Sequence, residues 1–336
     1  MSTPLLQVQG LKVHFPVRSG LLKRQIGAVR AVDDVSLSIA PGETLGLVGE
    51  SGCGKSTLGK AIVRLCRSQA GSIHFQGQDI THASQSKIRP LRRDLQMIFQ
   101  DPSESLNSRH SVRTILEEPF VVHNLGTTSE RKQWVNELLD RVGLPSASAD
   151  KYPFEFSGGQ RQRIGIARAI ALKPKLIICD EPVSALDVSV QSQVLNLMLE
   201  LQQEMALSYL FIAHDLAVVK HISDRIAVMY LGKIVEIARG EDLYRNPLHA
   251  YTKALLSAIP VARPHHQKQR ILLEGDVPSP INPPAGSAFG HRIGHPLYAQ
   301  TVNQDLPLTQ IADGHWVAAD PCCLSAEDYA LCQSLQ

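Results

Sequence analysis

Residues 4–48 alternate short apolar runs with turns, as in Val35-Ser36-Leu37-Ser38-Ile39 ahead of Ala40-Pro41-Gly42. A period of two closed by Pro and Gly predicts half-buried strands. Thr44–Val48 reads as a strand running straight into a glycine-rich turn, and from Ser56 to about Cys66 the period lengthens to a helix with Leu58, Ile62 and Leu65 on one face. Residues about 101–156 carry helical patterns (Ile115, Leu116; Trp134, Leu138, Leu139, Val142) broken at Pro119, Gly143 and Pro145, and read as a helical insertion. A helix over Gly159–Leu172 leads to the apolar run Leu176–Cys179, whose length and lack of alternation predict a buried strand. Val188–Met205 is amphipathic, with Val190, Val194, Leu197 and Leu201 on one stripe, and Tyr209–Ala213 is the next strand. Strands separated by helices imply a parallel sheet with covering helices.

The pattern changes after Ala258. Pro260, Pro264, Pro278, Pro280, Pro283 and Pro284 predict a stiff connector, and 287–336 is weakly patterned. At 336 residues the chain is too long for one core. Lys plus Arg is 34 against 32 Asp plus Glu, so no net field favours nucleic acid or anionic lipid. The basic clusters Lys23-Arg24 and Arg89–Arg93 read as solvated faces. No run approaches a membrane span, and Met1-Ser2-Thr3-Pro4 lacks the basic and apolar regions of a signal peptide, so a cytosolic chain is expected. Cysteines at 53, 66, 179, 322, 323 and 332 do not form a disulfide framework.

Four motifs carry chemistry. Gly49-Glu50-Ser51-Gly52-Cys53-Gly54-Lys55-Ser56-Thr57 fits the phosphate-loop pattern: glycines let backbone N–H groups approach phosphates, Lys55 reaches the β- and γ-phosphates, and the Ser56 hydroxyl ligates Mg²⁺. Cys53 sits at a helix N-terminus, where a thiolate is stabilised. Ser157-Gly158-Gly159-Gln160 offers a second helix N-terminus suited to a γ-phosphate. Leu176-Ile177-Ile178-Cys179-Asp180 ends in a carboxylate placed for magnesium, and Glu181 follows as a candidate general base. His214 follows the strand 209–213.

Together these resemble the ATPase domain of ATP-binding-cassette (ABC) proteins. The resemblance implies an α/β P-loop NTPase core with an antiparallel β subdomain, an inserted helical subdomain (about 101–158) and a C-terminal extension, divided as 5–259 and 260–336. It assigns Asp180 to the Walker B strand and Ser157–Gln160 to the signature that faces the nucleotide of a second ATPase domain. Gln100 matches the Q-loop that senses Mg²⁺, Ser184-Ala185-Leu186-Asp187 the D-loop and His214 the switch histidine. Phe15, in Val13-His14-Phe15-Pro16, is the candidate aromatic for adenine.

Further stretches are similar to the ATPase subunits of dipeptide and oligopeptide importers: Val48–Leu58, Phe99–Arg109, Val183–Asn196, Val228–Glu236, Asn246–Pro260 and Pro278-Ser279-Pro280 with Asn282-Pro283-Pro284. The likeness implies a second ABC ATPase subunit, a paralogue or else a second copy; two transmembrane permease subunits; an extracytoplasmic substrate-binding protein; no nucleic acid; and a peripheral place on the cytoplasmic face of the inner (plasma) membrane. Nickel or glutathione-like importers are the alternative, and soluble ABC proteins of DNA repair or translation a remoter one. The tail departs from the family. Where relatives carry Gly-Cys-x-Phe-x-x-Arg-Cys, a pattern associated with an iron–sulfur cluster, this chain reads Gly286-Ser287-Ala288-Phe289-Gly290-His291-Arg292-Ile293, and Val-Ala-Cys becomes Val317-Ala318-Ala319. Cys322, Cys323 and Cys332 are expected to lie too late to replace them, so no cluster is expected. His291, His295 and His315 read as a solvated tail.

Overall fold

The computed structural model describes residues 3–20, 24–101, 105–259, 271, 273 and 277–335. Its strands are β1 (Leu6–Ser19), β2 (Arg24–Ile39), β3 (Thr44–Val48), β4 (Ala70–Phe75), β5 (Gln78–Asp79), β6 (Leu95–Ile98), β7 (Leu176–Asp180), β8 (Ser208–Ile212), β9 (Arg225–Tyr230), β10 (Lys233–Arg239), β11 (Leu308–Ala312) and β12 (His315–Ala318). They form an antiparallel sheet, β2-β1-β4-β5, and a larger mixed sheet, β11-β12-β10-β9-β3-β8-β7-β6. In the larger sheet β6, β7, β8, β3 and β9 run parallel, while β10, β12 and β11 continue it antiparallel.

Burial follows the two periodicities. Val35, Leu37 and Ile39 of β2 are buried while Ser36 is exposed, as a half-covered sheet requires. β3, β7 and β8 are buried at every position because both faces are covered. Alternate residues enter different cores. Ile178, Leu210 and Ile212 face the helix Lys55–Ile62 and the antiparallel sheet; Ile177, Cys179, Tyr209 and Phe211 face the helices Gly158–Ile170 and Val188–Met205.

The insertion contains helices Val112–Val122 and Thr128–Arg141, the second opened by a Thr127–Glu130 capping box and ended by Gly143 at φ 69°. Pro119, expected to break the first helix, lies inside it. Burial of Val112, Ile115, Leu116 and Phe120, with Phe120 against Trp134 at 4.9 Å, outweighs the roughly 3 kcal/mol a mid-helix Pro costs. The helix after β3 ends at Ile62, short of the expected Cys66, and Leu65 is exposed because Arg64 turns left-handed at φ 61°.

The weakly patterned tail is folded. Short helices at Ala288–Arg292 and Tyr298–Thr301 precede β11 and β12, and a helix over Ala326–Ser334 follows. Pro260 and Pro264 of the expected connector lie outside the described residues, as do Lys23 and Pro102; the connector's later half touches the antiparallel sheet, the Pro280 carbonyl accepting the Arg30 N–H at 2.9 Å. A buried carboxylate ties the tail down. Glu236 on β10 accepts the N–H groups of Leu248 (2.8 Å) and His249 (3.1 Å) and pairs with His315 on β12 at 2.9 Å. His315 is therefore a buried partner rather than part of a solvated tail. Removing one of three partners from a buried carboxylate leaves desolvation uncompensated, so His315→Ala is expected to lower unfolding stability by about 1–3 kcal/mol in urea denaturation.

Candidate active site

The loop Gly49–Gly54 lies between the central strand β3 and the helix Lys55–Ile62, and crowding shapes it. Gly54 is left-handed at φ 109°, and a Cβ there would sit 1.8 Å from the Ala31 carbonyl oxygen; a Cβ on Gly49 would sit 2.1 Å from that of Met229. Only glycine fits either place. Lys55 is buried, and its Nζ donates to the Gly49 (2.8 Å) and Glu50 (2.9 Å) carbonyls. The loop thus holds its own cation inside its curve, with N–H groups available around it.

Five of the expected residues meet beside the helix start. Ser56 Oγ donates to Asp180 Oδ1 at 2.7 Å. Glu181, next in the chain, is left-handed at φ 46° and takes up two partners at one oxygen: Gln100 Nε2 donates to Oε2 at 2.8 Å, and His214 Nδ1 lies 3.6 Å from the same atom. A non-glycine residue in this region costs of order 1–3 kcal/mol and marks a geometry imposed by its surroundings. The imposed turn swings the Glu181 side chain toward β6 and β8 ends while Asp180 stays on Ser56.

Burial sets the charge states. Desolvation raises the Asp180 carboxyl above the usual range, opposed by the Ser56 hydrogen bond and Lys60. Cys53 runs against expectation: it is buried, and desolvation raises its thiol, with Lys55 only partly offsetting. Helix-end stabilisation of the thiolate is outweighed because the thiol is buried, with Lys55 Nζ 3.7 Å from its Sγ.

The signature residues form a second patch. Ser157 caps the helix Gly158–Ile170 with a Ser157–Gln160 capping box. Gly159 has no room for a Cβ, which would meet Val190 Cγ1 at 2.3 Å. Val190 belongs to the helix that Asp187 caps, its N–H donating to Asp187 Oδ1 at 3.0 Å, so signature and Asp187 are packed as one unit. Phe15 stands on β1 opposite Val29 with 44% of its surface exposed, available for stacking.

Two loop partners were missed in sequence. The Glu50 N–H donates to the Tyr251 hydroxyl at 2.9 Å, and the Glu50 carboxylate pairs with Arg292 at 2.7 Å. Tyr251 falls in a stretch singled out by resemblance and Arg292 in the segment that departs from the family, but no spacing rule links positions 201 and 242 apart. In the same region Cys322 and Cys323 return to Ser287, correcting their expected separation; Cys323 Sγ is 3.8 Å from Ser287 Oγ. His249, Asp320 and Cys323 offer atoms within 4.8 Å of one another. His249 Nδ1 accepts the Tyr251 N–H, which leaves the proton of a neutral ring on its other nitrogen. Ser287 Oγ donates to Asp320 at 2.5 Å. Ser287 thus links Asp320 and Cys323, while the bond of His249 is to the Tyr251 N–H.

A buried parallel strand, a glycine loop cradling a lysine, and a carboxylate ending the strand one removed in the same sheet define a P-loop nucleotide triphosphatase. The comparisons place it within that class. Residues 32–184 match the ABC transporter family and residues 235–293 the oligopeptide/dipeptide transporter C-terminal region. The chain is 54% identical to the oligopeptide transport ATP-binding protein AppF of Bacillus subtilis (strain 168), covering 94% of this chain and 96% of that protein. It is 51% identical to the glutathione import ATP-binding protein GsiA of Pectobacterium atrosepticum, covering 95% of this chain and 49% of GsiA. Among solved structures, a dimeric ATP-binding cassette in a post-hydrolysis state with ADP and Pi superposes with TM-score 0.63 at 25% identity, over 70% of this chain and 98% of that one. The chain belongs to the ABC transporter ATP-binding family, and it is an ATPase. Among the described residues no helix is long and apolar enough to cross a membrane.

Two outcomes follow from the burial. A carboxyl whose folded pKa is raised favours its neutral form, so it weakens the fold increasingly as pH rises through the carboxylate range. Asp180→Asn keeps the acceptor for Ser56 without the charge and is expected to raise the Tm of the nucleotide-free chain at pH 7 by about 2 °C, read by scanning calorimetry. Cys53, with less thiolate than a free cysteine at pH 8, is expected to alkylate at least roughly tenfold more slowly in the folded than in the unfolded chain, followed by mass spectrometry.

Proposed function

We propose that this chain drives uptake of di- and oligopeptides as one of a pair of ATPase subunits, the other a paralogue, beneath two transmembrane permease subunits fed by an extracytoplasmic binding protein. It would act peripherally at the cytoplasmic face of the inner membrane. The match of residues 235–293 to the oligopeptide/dipeptide transporter C-terminal region, and the oligopeptide relative at 54% identity, support the substrate class. An ATPase domain over 5–259 with an extension over 260–336 remains our division of the chain. The substitutions at Ser287, Ile293 and Ala319, where thiolates would be needed, favour a chain without an iron–sulfur cluster.

The observation that carries the hydrolytic reading is the convergence of Gln100 and His214 on Glu181 beside the Ser56–Asp180 pair. On ATP binding, Lys55 exchanges the Gly49 and Glu50 carbonyls for the β- and γ-phosphates, and other N–H groups of the loop take the remaining phosphate oxygens while that of Glu50 stays on Tyr251. Phe15 stacks on adenine. The candidate donors are hard oxygens: the Ser56 hydroxyl and the Asp180 carboxylate at the helix start, and the amide oxygen of Gln100, which follows β6. That set suits Mg²⁺, which neutralises phosphate charge when bound. Glu181 accepts the proton of the attacking water, and His214, within reach of the same carboxylate, orients it. Ser157–Gln160 and Asp187 of each subunit complete the site of the other, so hydrolysis requires the pair and its closure moves the permease.

A second reading rests on the glutathione import relatives, of which GsiA is 51% identical. Reconstitution with the cognate membrane subunits and binding protein separates the two, by uptake of labelled oligopeptide against labelled glutathione. In that system Glu181→Gln is expected to reduce turnover by roughly 10²–10⁴-fold while ATP is retained. Undiminished turnover would move the base elsewhere.

A further inference from the structure

The helix Ala288–Arg292 is held on three sides. Ser287 caps it through the Gly290 N–H at 2.9 Å and is itself bound to Asp320. Gly290 packs so closely on Cys322 that a Cβ would lie 2.5 Å from that residue's Cβ. Phe289 is buried between Tyr230 and Tyr251, with ring centroids 5.5 and 5.3 Å away. Arg292, three residues on and therefore on the same face, extends beyond this aromatic group to Glu50. Its side chain is only 7% exposed and its Nη1 lies 2.7 Å from Glu50 Oε2.

Glu50 is the most heavily engaged residue of the loop. Its N–H is fixed by Tyr251, its carbonyl holds Lys55, and its carboxylate meets Arg292. The last contact bears on the loop's chemistry. A loop read as holding a triphosphate carries a carboxylate at its second position, and like charge opposes anion binding. Burial works against charge on Arg292, yet the pairing with Glu50 outweighs it and keeps the guanidinium firmly ionised. The same guanidinium opposes the burial that pushes the Tyr230 hydroxyl up to about 12. One cation from the C-terminal part therefore cancels the one anion inside the phosphate loop.

We propose that Arg292 is a positioning residue for the nucleotide: by neutralising and bracing Glu50 it sets the affinity of residues 49–57 for ATP, and it makes the C-terminal region a determinant of nucleotide binding. The inference rests on the reading of this loop as the ATP site. It assigns to residues 286–292 a task separate from the Glu181 chemistry, felt in binding rather than in the hydrolytic step.

Equilibrium binding of ATP to the purified full-length chain, by calorimetry, tests this together with steady-state ATPase rates of the assembled transporter. Arg292→Ala is expected to weaken ATP binding and raise KM by about 5- to 20-fold, the effect of one uncompensated charge near the phosphates, with kcat at saturating ATP held within about twofold. Arg292→Lys restores most of the affinity. Glu50→Gln alone leaves the Arg292 cation uncompensated beside the phosphates and binds ATP more tightly than the wild type, and the double variant Arg292→Ala with Glu50→Gln recovers the affinity lost in Arg292→Ala. A purely structural role for Arg292 would give no such recovery, because the second change removes charge without restoring packing. An unchanged dissociation constant for Arg292→Ala in a chain with native circular dichroism overturns the proposal, and so does a double variant as weak as the single one. A wild-type chain that binds no ATP would instead remove the nucleotide reading itself.

Discussion

The phosphate loop closes only where backbone meets backbone. Gly54 and Gly49 run so near the carbonyls of Ala31 and Met229 that no side chain fits between them, and those carbonyls belong to the middle of β2 and to β9. The antiparallel sheet and the central sheet therefore press on the loop from two sides and set where the following helix starts. That start places Ser56 on Asp180 and turns Lys55 inward. A methyl group at either glycine would displace both, because the cost of the overlap cannot be relieved by a side-chain rotation.

From this fixed point the reacting groups arrive on separate elements that share only the sheet's edge of strand ends. Gln100 follows β6, Glu181 follows β7 and His214 follows β8. Parallel strands deliver their C-terminal ends to one rim, which is where ligands collect in sheets of this kind. The left-handed turn at Glu181 separates two adjacent carboxylates, directing Asp180 to the helix start and Glu181 to the other two residues. Adjacent acids thereby acquire different neighbours, the desolvated one bound to a hydroxyl and the other to an amide and an imidazole.

Much of this was legible in the sequence because it is local. A glycine pattern between strand and helix, an apolar run ending in Asp180-Glu181, and the Ser157–Gln160 cap are written in neighbouring residues. What was not legible depends on partners far along the chain. Pro119 stays helical because Phe120 finds Trp134, and Cys53 loses its expected ionisation to burial that only the folded loop creates. The tail looked unpatterned because β11 and β12 are short strands at the end of an existing sheet, so they need little alternation of their own. Arg292 could not be matched to Glu50 by any periodicity.

The eight-stranded order carries one more consequence, for the order of events during synthesis. A chain made from its N-terminus completes Glu50 while Arg292 is still 242 positions further on, and β10 stays an open sheet edge until β12 follows. Open edges invite pairing with other chains. The nascent protein must therefore carry a half-anchored nucleotide loop and an unguarded strand until residues 292–318 emerge, and both are closed by that stretch of polypeptide. Maturation of the nucleotide pocket and protection from misassembly thus coincide in time.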